Sequence, residues 1–317
     1  MNELLDYGDR AITRPPRARY DLESIPNELE IANYGKIRRH PVKFPNSRGF
    51  TIIGSYYGPN ETQEEPSCLI YLHGNASCQL EGTYLIPFLV PHGISVFCFD
   101  FSACGKSAGK RITLGYLEKD DVSCAITYMQ VHFGIKKFVL WGRSMGAACV
   151  FYSIPYNPEI VGAVADSPFA SLPILVKDLS AEMGVPRCFS GITMRLLANK
   201  IIQSSGFDIR ECLPVEEAKV STTPVFIIHG KEDDFILVKH ASQLYEAYKG
   251  QNKRLVVIPG QNHNSDRPNQ VTSEAIQFIG NCLGKMIPPE TITAQIGAGA
   301  LHFAGLDEMI TNMDDDD

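Results

Sequence analysis

The sequence predicts an α/β protein with a mainly parallel central sheet flanked by helices. Along the 317-residue chain, apolar runs of strand length alternate with segments that carry apolar residues at helical spacing, which is typical of such a sheet. The strand-like runs are 67–74, 94–100, 136–142, 160–166, 223–230 and 254–260, and the helical segments are 118–133, 145–154, 239–248 and 269–283. Ahead of them, residues 37–44 and 50–57 flank the turn-like sequence PNSRG and predict an antiparallel hairpin.

One long interval interrupts this alternation and divides the chain. Residues 167–222 are too long for an ordinary connection and predict a helical cap inserted over the sheet. The core is therefore expected in 35–166 and 223–284. The N-terminal arm, 1–34, has three prolines and little periodicity, so we expect it to be an extended arm that wraps the domain or to be partly disordered. The C-terminal tail, 285–317, ends in four aspartates, and this acidic run is expected to be a solvated, mobile end.

Composition excludes several classes of function. The net charge of -7 provides no basic field for nucleic acid. The start lacks the pattern of a signal peptide, and no apolar run approaches the roughly 20 residues of a membrane-spanning helix. The nine cysteines show neither CxxC nor Cys/His ligand spacing. We therefore expect a cytoplasmic protein with reduced thiols, no transmembrane segment, no metal and no organic cofactor, and peripheral membrane contact stays open.

The sequence KKFVLWGRSMGAACVF contains the strongest chemical signal. An apolar strand runs into a serine flanked at two positions on either side by Gly142 and Gly146, and a helical segment of small residues follows. This is the pattern of a nucleophile elbow, in which glycines let the neighbouring backbone pack closely around a strained serine. The pattern predicts Ser144 as a nucleophile. The alternative is that Ser144 caps a helix in an ordinary turn.

A serine nucleophile needs a base, and the base needs a carboxylate that orients it. His263 follows the strand-like RLVVIPG and Asp233 follows VFIIHG, so both are expected in loops at the carboxyl ends of strands. The chain order of Ser144, Asp233 and His263 is the order of nucleophile, acid and base in enzymes with such an elbow. Asp234 and Asp166 are alternative acids, and the other seven histidines are interpreted as structural.

Backbone N–H groups are the usual donors to the oxyanion that forms in acyl transfer. Met145, directly after the predicted nucleophile, is expected to supply one. The second is expected from Asn75 in YLHGNAS, where Gly74 permits an unusual turn after the strand 67–74. The alternative is that this segment is only a tight turn.

Taken together, these motifs resemble the α/β-hydrolase superfamily, and within it the Bem46-like branch that includes depalmitoylating α/β-hydrolase-domain proteins and serine-aminopeptidase-type relatives. The resemblance covers residues 37–283 and is carried by YLHGNAS, FDFSACGKSAG, WGRSMGA, ADSPF, PVFIIHGKEDDFI and GQNHNS. It implies an α/β-hydrolase fold, the triad of Ser144, Asp233 and His263, and oxyanion donors at Asn75 and Met145. The chain differs from the depalmitoylating members in having no cysteine before residue 68 and a longer cap.

Three functions are compatible with these residues. The leading hypothesis is hydrolysis of a carboxylic ester or thioester through an acyl-enzyme on Ser144, and the second is a serine peptidase that uses the same triad. The third, a non-catalytic binding module, is disfavoured because every triad element is present. The expected partner is a small-molecule, acyl or peptidyl substrate. The cap's apolar residues suit either an acyl group or the packing of the cap itself: Phe169, Leu172, Met183, Val185, Phe189, Ile192 and Met194.

Overall fold

The computed structural model of the chain describes residues 2–182 and 190–310. These residues contain one nine-stranded sheet in the order β1-β2-β3-β5-β4-β6-β7-β8-β9. The strands are β1 (Glu28–Ile31), β2 (Gly35–Pro45), β3 (Thr51–Tyr57), β4 (Ser67–Leu72), β5 (Ile94–Phe99), β6 (Lys137–Arg143), β7 (Ile160–Asp166), β8 (Val225–Gly230) and β9 (Lys253–Ile258).

Strand direction changes once across this sheet. The strands β1, β2, β3 and β5 pair antiparallel, and the pairs from β5 through β4 to β9 are all parallel. Every residue of the central strand β4 is buried, as expected where helices cover both faces of a parallel sheet. The predicted fold class, a mainly parallel sheet flanked by helices, is confirmed.

The helices of the described residues cover both faces of the sheet. They are α1 (Asn2–Thr13), α2 (Ile86–Leu89), α3 (Glu118–Phe133), α4 (Met145–Ser153), α5 (Leu172–Glu182), α6 (Ser190–Ser205), α7 (Pro214–Ala218), α8 (Lys239–Ala247), α9 (Asn269–Cys282) and α10 (Pro289–Gly297). None of them combines the length and apolar character that crossing a bilayer requires.

Alternation along β6 shows how the two faces are separated. Val139 and Trp141 pack into a core on the side of α9, whereas Phe138 and Leu140 pack into a second core on the side of α3 and α4. All four side chains are almost fully buried. The parallel strands are therefore held between two packed cores. The loops that follow their carboxyl ends form one edge of the molecule.

The interval 167–222 contains α5, α6 and α7. Phe169 and Leu172 are buried in a third, smaller core together with residues of α6, and Met194 packs against the same core. Ile192 is instead exposed. Met183, Val185 and Phe189 lie outside the described residues. This core also contains Leu5 of α1 and Ala148 of α4, so the buried apolar residues of the segment pack both with one another and against the rest of the molecule.

The N-terminal segment differs from the expected extended arm, because residues 2–13 form α1 and residues 28–31 form an edge strand. Among the side chains of α1 that the structure describes, Leu5, Asp9 and Thr13 are buried, at every fourth position. Only one of them is apolar. Asp9 is paired with Arg111, and the Thr13 hydroxyl accepts a hydrogen bond from the same guanidinium. A search for apolar periodicity misses such a helix because two of these three buried side chains are polar.

The C-terminal segment is packed over much of its described length. Within it, α10 and a following irregular turn pack against the core that contains α9, with Ile292, Phe303 and Leu306 buried. These apolar residues are separated by a kinked turn rather than by a regular helical spacing, so the sequence pattern did not reveal them. The four terminal aspartates lie outside the described residues.

Candidate active site

Ser144 occupies a strained turn between β6 and α4. Its backbone has φ 52° and ψ −111°, a conformation that side chains rarely adopt. A Cβ at Gly146 would overlap the Leu72 carbonyl, and one at Gly142 would overlap the Gly146 backbone. Only glycine fits this approach of α4 to β4. The Ser144 side chain makes no helix-capping hydrogen bond, which contradicts the alternative of an ordinary N-cap.

The structure brings Ser144, His263 and Asp233 together in a chain of hydrogen bonds. His263 Nε2 lies 3.1 Å from Ser144 Oγ, and His263 Nδ1 donates to Asp233 Oδ2 at 2.8 Å. Asp233 also accepts the backbone N–H groups of Phe235 and Ile236 through its other oxygen. Because Nδ1 of His263 carries the ring proton and donates it to the carboxylate, Nε2 has a free lone pair, which faces the serine hydroxyl.

The surroundings of Asp233 keep it ionised. Burial opposes ionisation, but the hydrogen bond and charge of His263 and the Ile236 N–H outweigh it, so the pKa of Asp233 lies below its ordinary value. His229, fully buried on β8, lies 3.4 Å from the same carboxylate and donates to the Ile236 carbonyl at 2.6 Å. Burial lowers the pKa of His229 and favours its neutral form.

The two alternative acids lie elsewhere. The Asp166 carboxylate is bound by Arg267 at 2.8 to 3.0 Å, and its backbone carbonyl accepts the Ser144 N–H. Asp234 is exposed and lines the cavity beside Ser144. Of the three aspartates, Asp233 is the one within hydrogen-bond distance of His263 in the structure.

The two predicted oxyanion donors flank Ser144. Met145 is the first residue of α4, so its N–H has no partner within the helix. Asn75 lines the same cavity as Ser144, and its N–H donates to no other group among the described residues. The segment is also a turn, closed by the Ser77 N–H on the Gly74 carbonyl at 3.3 Å.

A cavity of about 480 Å³ opens above the hydroxyl of Ser144. Its lining is about equally polar and apolar, and no residue of α5 or α6 described in the structure contributes to it. The lining residues are Gly74, Asn75, Arg143, Ser144, Asp234, Phe235, Asn262, His263 and Asn264. Phe235 packs its ring beside that of His263, at 5.1 Å between centroids.

Sequence reasoning assigned no role to two charged residues next to this cavity. Arg143 precedes Ser144 and lies 3.6 Å from Glu81, whose charge raises the pKa of the guanidinium. Glu81 lies seven residues beyond Gly74 on a 3₁₀ turn, Gln79–Leu85, and no motif marks it. Among residues 2–182 and 190–310, no cluster of three or more His, Cys, Asp or Glu side chains is placed to bind a metal.

This arrangement of elbow, imidazole, carboxylate and free N–H groups is the geometry of serine-based acyl transfer. Comparison with known proteins agrees with the fold. Residues 63–205 match the family model described as serine aminopeptidase, S33, and residues 208–304 match the model described as PhoPQ-activated pathogenicity-related protein. The chain is 31% identical over 255 residues to the protein YfhR of Escherichia coli, a match that covers 76% of this chain and 81% of YfhR.

Solved structures show the same architecture at low sequence identity. The Pyrococcus furiosus esterase Pf2001 superposes with a TM-score of 0.59 at 22% identity, covering 80% of this chain and 94% of the esterase. Acetyl xylan esterase 1 from Thermoanaerobacterium gives a TM-score of 0.62 at 16% identity, covering 89% of this chain and 93% of the other. The chain belongs to the α/β-hydrolase superfamily, as the sequence motifs predicted.

Proposed function

We propose that the chain is a serine hydrolase that cleaves a carboxylic ester or thioester through an acyl-enzyme on Ser144. The observation that carries the proposal is the pair of hydrogen bonds joining Ser144, His263 and Asp233 at the floor of the cavity. The fold adds support, because esterases are among the proteins that share it.

The reaction follows from this geometry. His263 Nε2 accepts the hydroxyl proton while Ser144 Oγ bonds to the substrate's carbonyl carbon, and Asp233 stabilises the imidazolium that results. The N–H groups of Asn75 and Met145 bind the oxyanion. Collapse of this intermediate breaks the bond to the alcohol or thiol, which leaves with the proton from His263. Water, activated by His263, then attacks the acyl-enzyme in the same way, and Ser144 leaves as the carboxylic acid is released.

The test combines covalent labelling with turnover. The wild-type protein is expected to react with a fluorophosphonate at Ser144 and to hydrolyse members of a panel of acyl p-nitrophenyl esters and acyl thioesters. Ser144→Ala is expected to abolish labelling and to reduce kcat by up to about 10⁶-fold with little change in fold. Ser273→Ala on α9 is the matched control, since that serine is outside the cavity lining. Normal turnover by a clean Ser144→Ala preparation contradicts the proposal.

A second candidate function is that of a serine peptidase. It is favoured by the match of residues 63–205 to the serine aminopeptidase model and by the exposed Asp234 carboxylate in the cavity, which suits a substrate ammonium group. Aminoacyl amides added to the same panel distinguish the two candidates. A peptidase is expected to prefer amides with a free amino group, and Asp234→Asn is expected to raise KM for them but not for esters.

A further inference from the structure

Glu81 connects three segments of the candidate site. Its side chain is largely buried, and Oε2 accepts the Gly74 N–H at 3.1 Å. The other oxygen accepts the Tyr71 hydroxyl at 3.0 Å and lies 3.6 Å from an Arg143 nitrogen. A carboxylate that accepts a backbone N–H fixes that peptide more firmly than a neutral group does, because charge-assisted hydrogen bonds are the stronger kind.

His73 holds the other polar group of the same glycine. Its Nε2 accepts the Phe101 N–H at 3.0 Å, so the ring proton is on Nδ1, which donates to the Gly74 carbonyl at 2.7 Å. In a trans peptide, the Gly74 carbonyl and the Asn75 N–H point in opposite directions. With its carbonyl held on one side by His73, this peptide presents the Asn75 N–H on the other side. Glu81 fixes the preceding peptide of the same loop, whose N–H belongs to Gly74.

Arg143 extends these contacts to the histidine loop. One guanidinium nitrogen approaches Glu81, and the other donates to the His263 carbonyl at 3.4 Å and to Asn264 Oδ1 at 3.3 Å. Because Arg143 directly precedes Ser144, the loops that carry the oxyanion donor, the nucleophile and the base meet around one ion pair.

We propose that Glu81 is a positioning residue for oxyanion binding: by holding the Gly74 N–H and the Arg143 guanidinium, it fixes the loop from which the Asn75 N–H binds the transition state. The proposal rests on the serine-hydrolase function proposed above. Glu81 itself touches no reacting atom, so its removal acts through the Asn75 donor. Loss of one oxyanion donor costs about 10²- to 10³-fold in kcat, and a displaced donor is expected to cost less.

The experiment measures Glu81→Ala and Glu81→Gln with a short p-nitrophenyl ester and with a trifluoromethyl ketone, whose serine adduct mimics the tetrahedral intermediate. Fluorophosphonate titration gives kcat per active site, so misfolded protein does not enter the comparison. Glu81→Ala is expected to lower kcat by about 10- to 100-fold with KM nearly unchanged, because the donor acts in the transition state. Its affinity for the ketone is expected to fall in proportion to kcat.

Glu81→Gln keeps an oxygen that can accept the Gly74 N–H but lacks the charge that strengthens this bond and attracts Arg143, so it is expected to recover part of the kcat lost in Glu81→Ala. Glu64→Ala, at an exposed position before β4, is the matched control and is expected to behave as wild type. The proposal is overturned if Glu81→Ala leaves kcat and ketone binding unchanged, if KM rises while ketone affinity is retained, or if Gln is as defective as Ala in a folded protein. If the wild-type protein neither reacts with the fluorophosphonate nor turns over substrate, both the serine-hydrolase proposal and the proposed role of Glu81 are wrong. If the wild-type protein is active and the Glu81 variants are unaffected, only the proposed role of Glu81 is wrong.

Discussion

Arg267 binds both oxygens of the Asp166 carboxylate at 2.8 to 3.0 Å, and both side chains are largely buried. The same guanidinium donates to the backbone carbonyls of Asn262 and Ser265, on either side of His263. Asp166 therefore supports the histidine loop through Arg267, although it follows a parallel strand as a catalytic acid would. An aspartate at such a strand end is not by itself evidence of the acid.

This pairing leads to a comparison of three variants on one ester. Asp233→Asn is expected to lower kcat by about 10⁴-fold, because an amide favours the wrong imidazole tautomer. Asp234→Asn is expected to leave ester turnover within a few-fold of wild type, since its exposed side chain is not among the groups that hydrogen-bond His263. Asp166→Asn leaves Arg267 without its counter-charge and is expected to reduce stability by about 3 kcal/mol.

Kinetics on the three purified variants, each with a thermal unfolding curve, separate the catalytic acid from the structural ion pair. The assignment of Asp233 is wrong if Asp233→Asn turns over normally while Asp234→Asn or Asp166→Asn, still folded, loses turnover per titrated active site.

A second prediction concerns the elbow. Gly146→Ala is expected to prevent folding or to lower the melting temperature severely, because the added methyl group would overlap the Leu72 backbone, which cannot move aside as a side chain can. Gly297→Ala is the control: a Cβ at that position in α10 meets nothing within 4 Å, so little change or a small gain in stability is expected. Equal melting temperatures for Gly146→Ala and wild type would show that the close approach is not rigid.

The central strands of the sheet were predictable because they are buried on both faces and therefore appear in the sequence as apolar runs. The run 94–100 is β5 at Ile94–Phe99, and 136–142 is β6 at Lys137–Arg143. By contrast, α1 buries Asp9 and Thr13, whose burial depends on hydrogen bonds to Arg111, about a hundred residues further along the chain. The spacing of apolar residues within a helix cannot reveal a hydrogen-bond partner that lies so far away in the sequence.

The candidate site likewise contains residues that the sequence predicted and residues that it did not. Ser144, Asp233 and His263 could be predicted to lie together because each follows a strand within a short motif, and parallel sheets bring strand ends to one edge. Arg267 was not assigned a role, since its contact with Asp166 joins positions 101 residues apart. Glu81 was missed because it accepts the backbone N–H of Gly74, and a side chain that binds a backbone donor leaves no pattern in the sequence.

The packed C-terminal segment gives a third prediction. Leu306 is fully buried against the core beside α9, so Leu306→Ala is expected to lower the free energy of unfolding by about 2 to 5 kcal/mol. Met286, at the start of the same segment, is 85% exposed. Met286→Ala is therefore expected to change the free energy of unfolding by less than about 0.5 kcal/mol. Urea denaturation of the full-length variants measures both values. Equal midpoints would mean that this segment does not contribute to the core in solution.

The last prediction concerns acid stability and begins from a buried histidine beneath the inserted segment. His240 on α8 has no exposed surface, its Nδ1 accepts the Ala170 N–H at 3.1 Å, and its Nε2 lies 3.3 Å from Asp178 on α5. Asp178 also accepts a hydrogen bond from Lys239 at 2.6 Å. Burial lowers the pKa of His240 to about 4, against the opposing pull of Asp178.

In the unfolded chain this histidine takes up its proton near the ordinary value of 6.5, whereas in the folded chain it does so only near pH 4. Between these values unfolding binds a proton, so the stabilisation is complete above about pH 6.5 and is lost as the pH falls toward 4. The loss is up to about 3 kcal/mol, at about 1.4 kcal/mol per pKa unit. His240→Asn, whose amide oxygen can take the place of Nδ1 as acceptor for the Ala170 N–H, does not titrate in this range. Urea unfolding from pH 8 to 4 is therefore expected to show a steeper loss of stability for wild type than for His240→Asn. Parallel curves for the two proteins would mean that His240 is protonated in the folded state as readily as in the unfolded chain.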